Sequence, residues 1–300
     1  MALTWALRSG EAELGLRLGS ALRDYWHLGC HLREGGRWLE DFLALPEAAE
    51  RTALRARALT AAADVSSWTG EREVYFARSD EAVSIYRELG DLRGIADALE
   101  ELGVALMQAG RLDVARADVQ EARDLQISLG NRQKAGECSM VLGMLAIAEG
   151  HPDQALILIE DALTTFKELG DPYWSAFAER LVGGFDRNDG RYDAAESHYR
   201  ASLSAARQYD LPIMATTLYA FADLALARGQ HARALRLAGA SEALSERLGE
   251  DRSLEMAMVG DVRRAASAFF DEAAAQGLYQ EGLVMEVEDV VAYALRPEEK

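Results

Sequence analysis

The chain has 300 residues, 49% of them apolar, with 50 acidic against 32 basic side chains and a formal net charge of −18. That length is one large domain or two ordinary ones, and the acidic balance argues against gripping a nucleic-acid backbone, which needs clustered Lys and Arg. Two distant cysteines, Cys30 and Cys138, exclude a disulfide framework or a four-cysteine zinc site, no apolar run is long enough to span a membrane, and five prolines among abundant Ala, Leu, Glu and Arg favour helix throughout.

At the N-terminus, MALTWALRSGEAE is charged within its first turns and lacks a long apolar stretch, so no secretory signal is expected and the chain reads as cytoplasmic. A degenerate helix pair follows at 11–28 and 31–44, turning at Gly29. From there the text is periodic. Turn glycines fall at Gly70, Gly110, Gly150, Gly190 and Gly229, spaced 40, 40, 40 and 39 residues apart. A second series, Gly90, Gly130, Gly170 and Gly249, lies about 20 residues after members of the first, with Asp210 where one more would fall. Each glycine suits the residue just past a helix, where a positive φ costs it little. Asp91, Asn131 and Asp171 then suit the N-caps of the following helices, and Pro172 and Pro212 suit helix starts.

The expected helix pairs are 50–69/72–89, 92–109/112–129, 132–149/152–169, 172–189/192–208 and 211–228/231–248. Each helix of roughly 18 residues is about 27 Å long. Two closing helices are expected near 253–276 and 286–295. The prediction is an all-α solenoid of antiparallel helix pairs in a single domain over 1–300: a degenerate pair in 1–49, five repeats in 50–249 and capping helices in 250–300.

Small residues hold phase with the turns. Seven before each turn glycine stand Ala63, Gly103, Gly143, Gly183 and Ala222; five after it stand Tyr75, Ala115, Ala155, Ala195 and Ala234; twelve after it stand Ala82, Ala122, Ala162, Ser202 and Ser241. Small residues on both helices of a pair permit close packing. This grid resembles the tetratricopeptide repeat over about 50–249, with 40 residues per unit in place of the familiar 34. The chain's ends carry a second resemblance. The segment WALRSGEAELGLRLGSALRDYWHLGCHLREGGRWLEDFLALP, and the later HARALRLAGASEALSERLG with Tyr279, Glu281 and Gly282, are similar to the helical-repeat region of LuxR-type and AfsR-type signal-transduction ATPase regulators.

That resemblance implies a non-enzymatic sensor or scaffold region that receives a protein, a peptide or a small inducer and works with an ATPase or DNA-binding module in cis or in trans. The sequence itself holds no G-x-x-x-x-G-K-[ST] phosphate loop and no basic recognition helix, so direct nucleic-acid contact is not expected. A free-standing adaptor or oligomerisation module without a small-molecule ligand is the alternative.

No catalytic set, cofactor or metal site is expected. His27 and His31 flank Cys30 at a metal-like spacing, but the Gly29 turn lies between them. His151 and His231 follow turn glycines and read as surface residues, and the histidines as a set read as outer positions, which leaves no Ser-His-Asp or Cys-His set. Most of Trp5, Trp26, Trp38, Trp68 and Trp174 read as packing between helices. In the architecture the resemblance implies, the first helix of each pair lines the concave side. Its groove positions would be Arg57, Asp64 and Trp68; Asp97, Glu100, Met107 and Gln108; Glu137, Met140 and Met144; Phe177, Arg180, Arg187 and Asn188; and Thr216, Tyr219 and Asp223. Flexible Met and aromatic residues suit adaptable recognition, and the two arginines could fork onto a partner's carboxylate.

Overall fold

The computed structural model describes residues 1–28, 31–69, 72–207, 211–247 and 261–296, without the side chains of 64–69 and of several residues beside the gaps. The turns expected at Gly29, Gly70, Asp210 and Gly249 lie outside the described residues. Every regular element among the described residues is helical, and the chain falls into two compact units, Met1–His151 and Pro152–Lys300.

The first unit holds α1 (Ala2–Arg8), α2 (Ala12–Ala21), α3 (Arg23–Leu28), α4 (Leu32–Leu43), a 3-10 turn at Pro46–Ala48, α5 (Ala53–Thr69), α6 (Arg72–Leu89), α7 (Leu92–Gln108), α8 (Leu112–Ser128) and α9 (Arg132–Ala148). The second holds α10 (Pro152–Leu169), α11 (Pro172–Asn188), α12 (Tyr192–Ala206), α13 (Leu211–Ala227), α14 (His231–Arg247), a helical stretch at 261–267, α15 (Glu272–Leu283) and α16 (Val287–Ala294). Within each unit, most helices adjacent in sequence pack on one another, and α16 packs on α14.

The repeated turns have one construction. Gly90, Gly130 and Gly170 adopt φ of +67°, +71° and +69°. The next amide reaches back to close the helix: Asp91 N donates to Tyr86 O at 3.0 Å, Asn131 N to Gln126 O at 2.9 Å and Asp171 N to Phe166 O at 2.9 Å. The same three side chains then cap the next helix. Asp91 accepts from Gly94 N at 3.0 Å, Asn131 from Lys134 N at 3.4 Å and Asp171 from Trp174 N at 3.0 Å. One residue thus ends a helix with its backbone and starts another with its side chain. Between the turns, Ala115, Ala122, Ala155, Ala162, Ala195 and Ala234 are all buried, as close helix packing requires.

The two ends depart from expectation. The helix expected over 11–28 breaks at Leu22 into α2 and α3, and α1 precedes it. The break turns Trp26 inward, where its indole fills the space a Cβ at Gly35 would occupy. The helix expected over 253–276 is not continuous in its described part, because Asp271 accepts from Ala274 N at 2.8 Å and begins a new helix, α15. That helix closes on α14. A Cβ at Gly282 would collide with the Arg236 carbonyl, and one at Gly239 with the Tyr279 carbonyl, so the backbones meet directly. The Tyr279, Glu281 and Gly282 motif is therefore a latch: the Tyr279 hydroxyl bonds to Glu242, and Arg236 Nε donates to Glu281 at 2.6 Å.

Candidate functional site

In the first unit the predicted acids Asp97, Glu100 and Glu137 lie on α7 and α9, which pack together, and Asp64 lies on α5. Glu100 and Glu137 are buried, 7% and 4% exposed, and share one ammonium. Lys134 Nζ lies 2.6 Å from Glu137 and 3.4 Å from Glu100. Burial pushes the Glu100 carboxyl up to about 8, against the pull of Lys134 and with help from Glu137. Burial disfavours the Lys134 charge, but Glu100 and Glu137 outweigh it and hold that ammonium above its ordinary range. Burial also pushes the Cys138 thiol well up, so it is no ready nucleophile. Asp97 accepts from Gln126 Nε2 at 2.7 Å, and Gln126 Oε1 accepts from Asn131 Nδ2 at 3.1 Å. This chain joins the cap of α9 through α8 to α7.

The predicted positions in this unit are therefore mixed. Met140 is 0% exposed and packs in the core, because α9 is buried around most of its circumference. Met107 and Met144 are half-buried, while Arg57 and Gln108 are exposed. The side chains of Asp64 and Trp68 lie outside the described residues.

In the second unit α11 and α13 pack together and carry the remaining positions. The Arg180 guanidinium stands over the Phe177 ring, 5.1 Å from its centroid, and Phe177 meets Trp174 edge-on at 5.9 Å. Arg187 joins the two helices through Nη2 to Asp223 at 2.5 Å, and its Nη1 donates to Asn188 at 3.1 Å. Burial pushes the Asp223 carboxyl up against the opposing pull of Arg187. Tyr219, half-buried nearby, is pushed up to about 12 by burial and by Asp223. Thr216 donates back to Ile213 O at 3.1 Å. Burial pushes the Tyr199 hydroxyl on α12 far above its ordinary range, with Asp223 and Asp186 adding to the rise and Arg180 and Arg187 opposing it.

Beside this face is a cluster that sequence reasoning missed. Glu179 and Asp186 on α11 are only 5% and 7% exposed. His198 on α12 places Nδ1 2.5 Å from Glu179 and Nε2 3.4 Å from Asp186. Lys167 reaches Glu179 at 2.7 Å and Arg191 reaches Asp186 at 2.8 Å. His198 is thus not the outer residue expected from its repeat position. The missed signal was in register: at the places of Glu179 and Asp186, α7 has Leu99 and Leu106 and α13 has Leu218 and Ala225. Gly183 lies between the two acids and makes room for His198 and Tyr199.

Of the other histidines, His151 is exposed, His231 stacks on Phe269 at 3.5 Å, and His31 stacks on Tyr25 at 5.7 Å; the His27 and Cys30 side chains lie outside the described residues. Trp26, Trp38 and Trp174 pack within the helices and Trp5 is exposed. Among the described residues no three His, Cys, Asp or Glu side chains are placed to hold a metal ion, and no helix is long and apolar enough to cross a membrane.

Residues 94–168 and 174–247 match the family model of the tetratricopeptide repeat. The chain is an all-helical protein of tetratricopeptide-like repeats. A protein of Mycobacterium tuberculosis (strain H37Rv) named as an HTH-type transcriptional regulator is 26% identical over 262 residues, 83% of this chain and 29% of that protein. A Mycobacterium bovis protein of the same name matches equally. The chain spans under a third of the length of these curated relatives. Among solved structures it is similar to aspartyl phosphate phosphatase F from Bacillus subtilis, with a TM-score of 0.68 at 13% identity over 95% of this chain and 72% of that one. It is also similar to NprR in complex with its cognate peptide NprX, with a TM-score of 0.67 at 14% identity over 91% of this chain and 78% of that one. At these identities the likeness is one of fold.

Proposed function

We propose that the chain is a recognition scaffold, the sensing repeat region of a transcriptional regulator of the LuxR or AfsR signal-transduction ATPase type, and that it works by binding a peptide or protein. The observation that carries this reading is the match to the mycobacterial regulators across 83% of the chain. The fold shared with NprR, whose structure holds a peptide, supports peptide as the ligand class. The ligand-facing surface in this reading is the α11/α13 face of the second unit. Phe177 and Tyr219 offer aromatic surface, and Arg180 and Arg187 offer guanidinium donors two turns apart on one helix. A ligand carboxylate would compete with Asp223 for Arg187, whose Nε is buried without a hydrogen-bond partner. The buried acids Glu100 and Glu137, which share Lys134, play no recognition role in it.

The test is retention of a pool of random octapeptides on the immobilised full chain, read by mass spectrometry. Enrichment is expected, and it should fall about tenfold in the Arg180→Ala plus Arg187→Ala double variant, the loss of one strong charge-assisted contact. No enrichment by the parent chain overturns the peptide reading. Unchanged enrichment by the folded double variant moves the site off α11.

A further inference from the structure

The bridge between α11 and α12 has a property that follows from hydrogen-bond chemistry alone. His198 presents one ring nitrogen to Glu179 at 2.5 Å and the other to Asp186 at 3.4 Å. A carboxylate only accepts, and a neutral imidazole carries one N–H; both contacts are attractive only when the ring carries two protons. The surrounding charges agree. Three carboxylates (Glu179, Asp186 and Asp189) face the permanent cations Lys167 from α10 and Arg191 from the turn before α12. The imidazolium supplies the third positive charge. Without its second proton, the ring turns a nitrogen lone pair towards a buried carboxylate, a costly arrangement.

From this geometry we infer that His198 is a proton-operated latch between α11 and α12, closed when the imidazole is doubly protonated and loosened when it is neutral. The latch reaches the α11/α13 face without being part of it. Asp186 is the residue before Arg187, and its charge acts with those of Arg180, Arg187 and Asp223 on the Tyr199 hydroxyl. A proton leaving His198 therefore releases Asp186 on one side of that cluster, while Arg191 keeps its hold on the other carboxylate oxygen.

The experiment follows imidazole resonances of the full chain by NMR from pH 5 to pH 9, together with amide hydrogen exchange across 179–198 corrected for intrinsic rates. With five histidines in the chain, the signal missing from His198→Gln assigns the residue. Protection of the α11 and α12 amides is expected to fall about tenfold as His198 loses its proton, the size of a local opening shifted by one ionic hydrogen bond. His198→Arg, a permanent cation at the same place, should keep high protection throughout. His198→Gln, which is never charged, should be loosened at every pH. An imidazole that stays in one protonation state over the whole range overturns the latch, as does protection that does not follow its titration. If His198→Gln fails to fold, the arginine variant and the parent chain still decide the matter.

Discussion

Both units bury two carboxylates on their first helices, and they resolve the charge differently. In the first, Glu100 and Glu137 share the single ammonium of Lys134, and the excess is met by a proton: the Glu100 carboxyl is held up to about 8. In the second, Glu179 and Asp186 meet two permanent cations, Lys167 and Arg191, and the ring of His198. A helical repeat can thus bury an acid by keeping a proton on it or by surrounding it with counter-ions. The first solution puts the proton on the acid itself; the second spreads the load over partners from several elements. The difference shows that equivalent repeats in one chain need not have equivalent electrostatics.

The largest expected effect comes from the closing latch of the second unit. Gly282→Ala forces a methyl into the Arg236 carbonyl and should cost about 3 kcal/mol, the upper range for overpacking, read as a fall in thermal midpoint. Next, Lys134→Ala removes the cation that two buried acids share. A loss of about 2 kcal/mol is expected, below that of a fully buried pair because the lysine is partly exposed. Lys167→Ala should cost less than about 1 kcal/mol, since Glu179 keeps His198 and Lys167 is largely exposed. Equal losses from the two lysine variants would erase the contrast between the units.

Glu100→Gln tests the protonic solution. The folded carboxyl, near 8, holds its proton far above its ordinary range near 4.3, so the native state binds more protons than the unfolded one between those values. Stability contributed by that proton is present below pH 4 and is lost as pH rises towards 8. The amount is on the order of 1–3 kcal/mol after relaxation. Denaturant titrations should show that slope flattened in Glu100→Gln, leaving the variant relatively more stable at pH 8 than at pH 5; an unaltered slope would place the proton elsewhere. The smallest effect is expected from Arg51→Ala, whose pair with Glu88 is exposed, with no resolvable shift in midpoint.

The repeat architecture was legible because its signals are local. A glycine at positive φ followed by Asp or Asn is written in two adjacent letters, and Gly90–Asp91, Gly130–Asn131 and Gly170–Asp171 fold as those letters require. The polar clusters were not legible in the same way. Lys134 serves Glu100 from the next repeat, and His198 serves Glu179 from the opposite helix, so each pairing depends on how helices rotate about their axes. The burial of Met140 was not legible for the same reason: equivalent positions differ in exposure from one repeat to the next. The break at Leu22 follows a tertiary demand, the seating of Trp26 over Gly35, that no local rule announces. The start of α15 was readable, since Asp271 followed by Glu272 is an N-cap signature inside what looked like continuous helix.

The turns carry a consequence for how such a chain can change length. Residues 91–130 begin on one Gly–cap junction and end on another of the same geometry, with φ of +67° at Gly90 and +71° at Gly130. A tandem copy of that 40-residue cassette would arrive with both seams already sealed. Its first helix would replace α9 as the neighbour of α8. Growth by duplication requires no new joint, only side chains that accept a copy of their own neighbour.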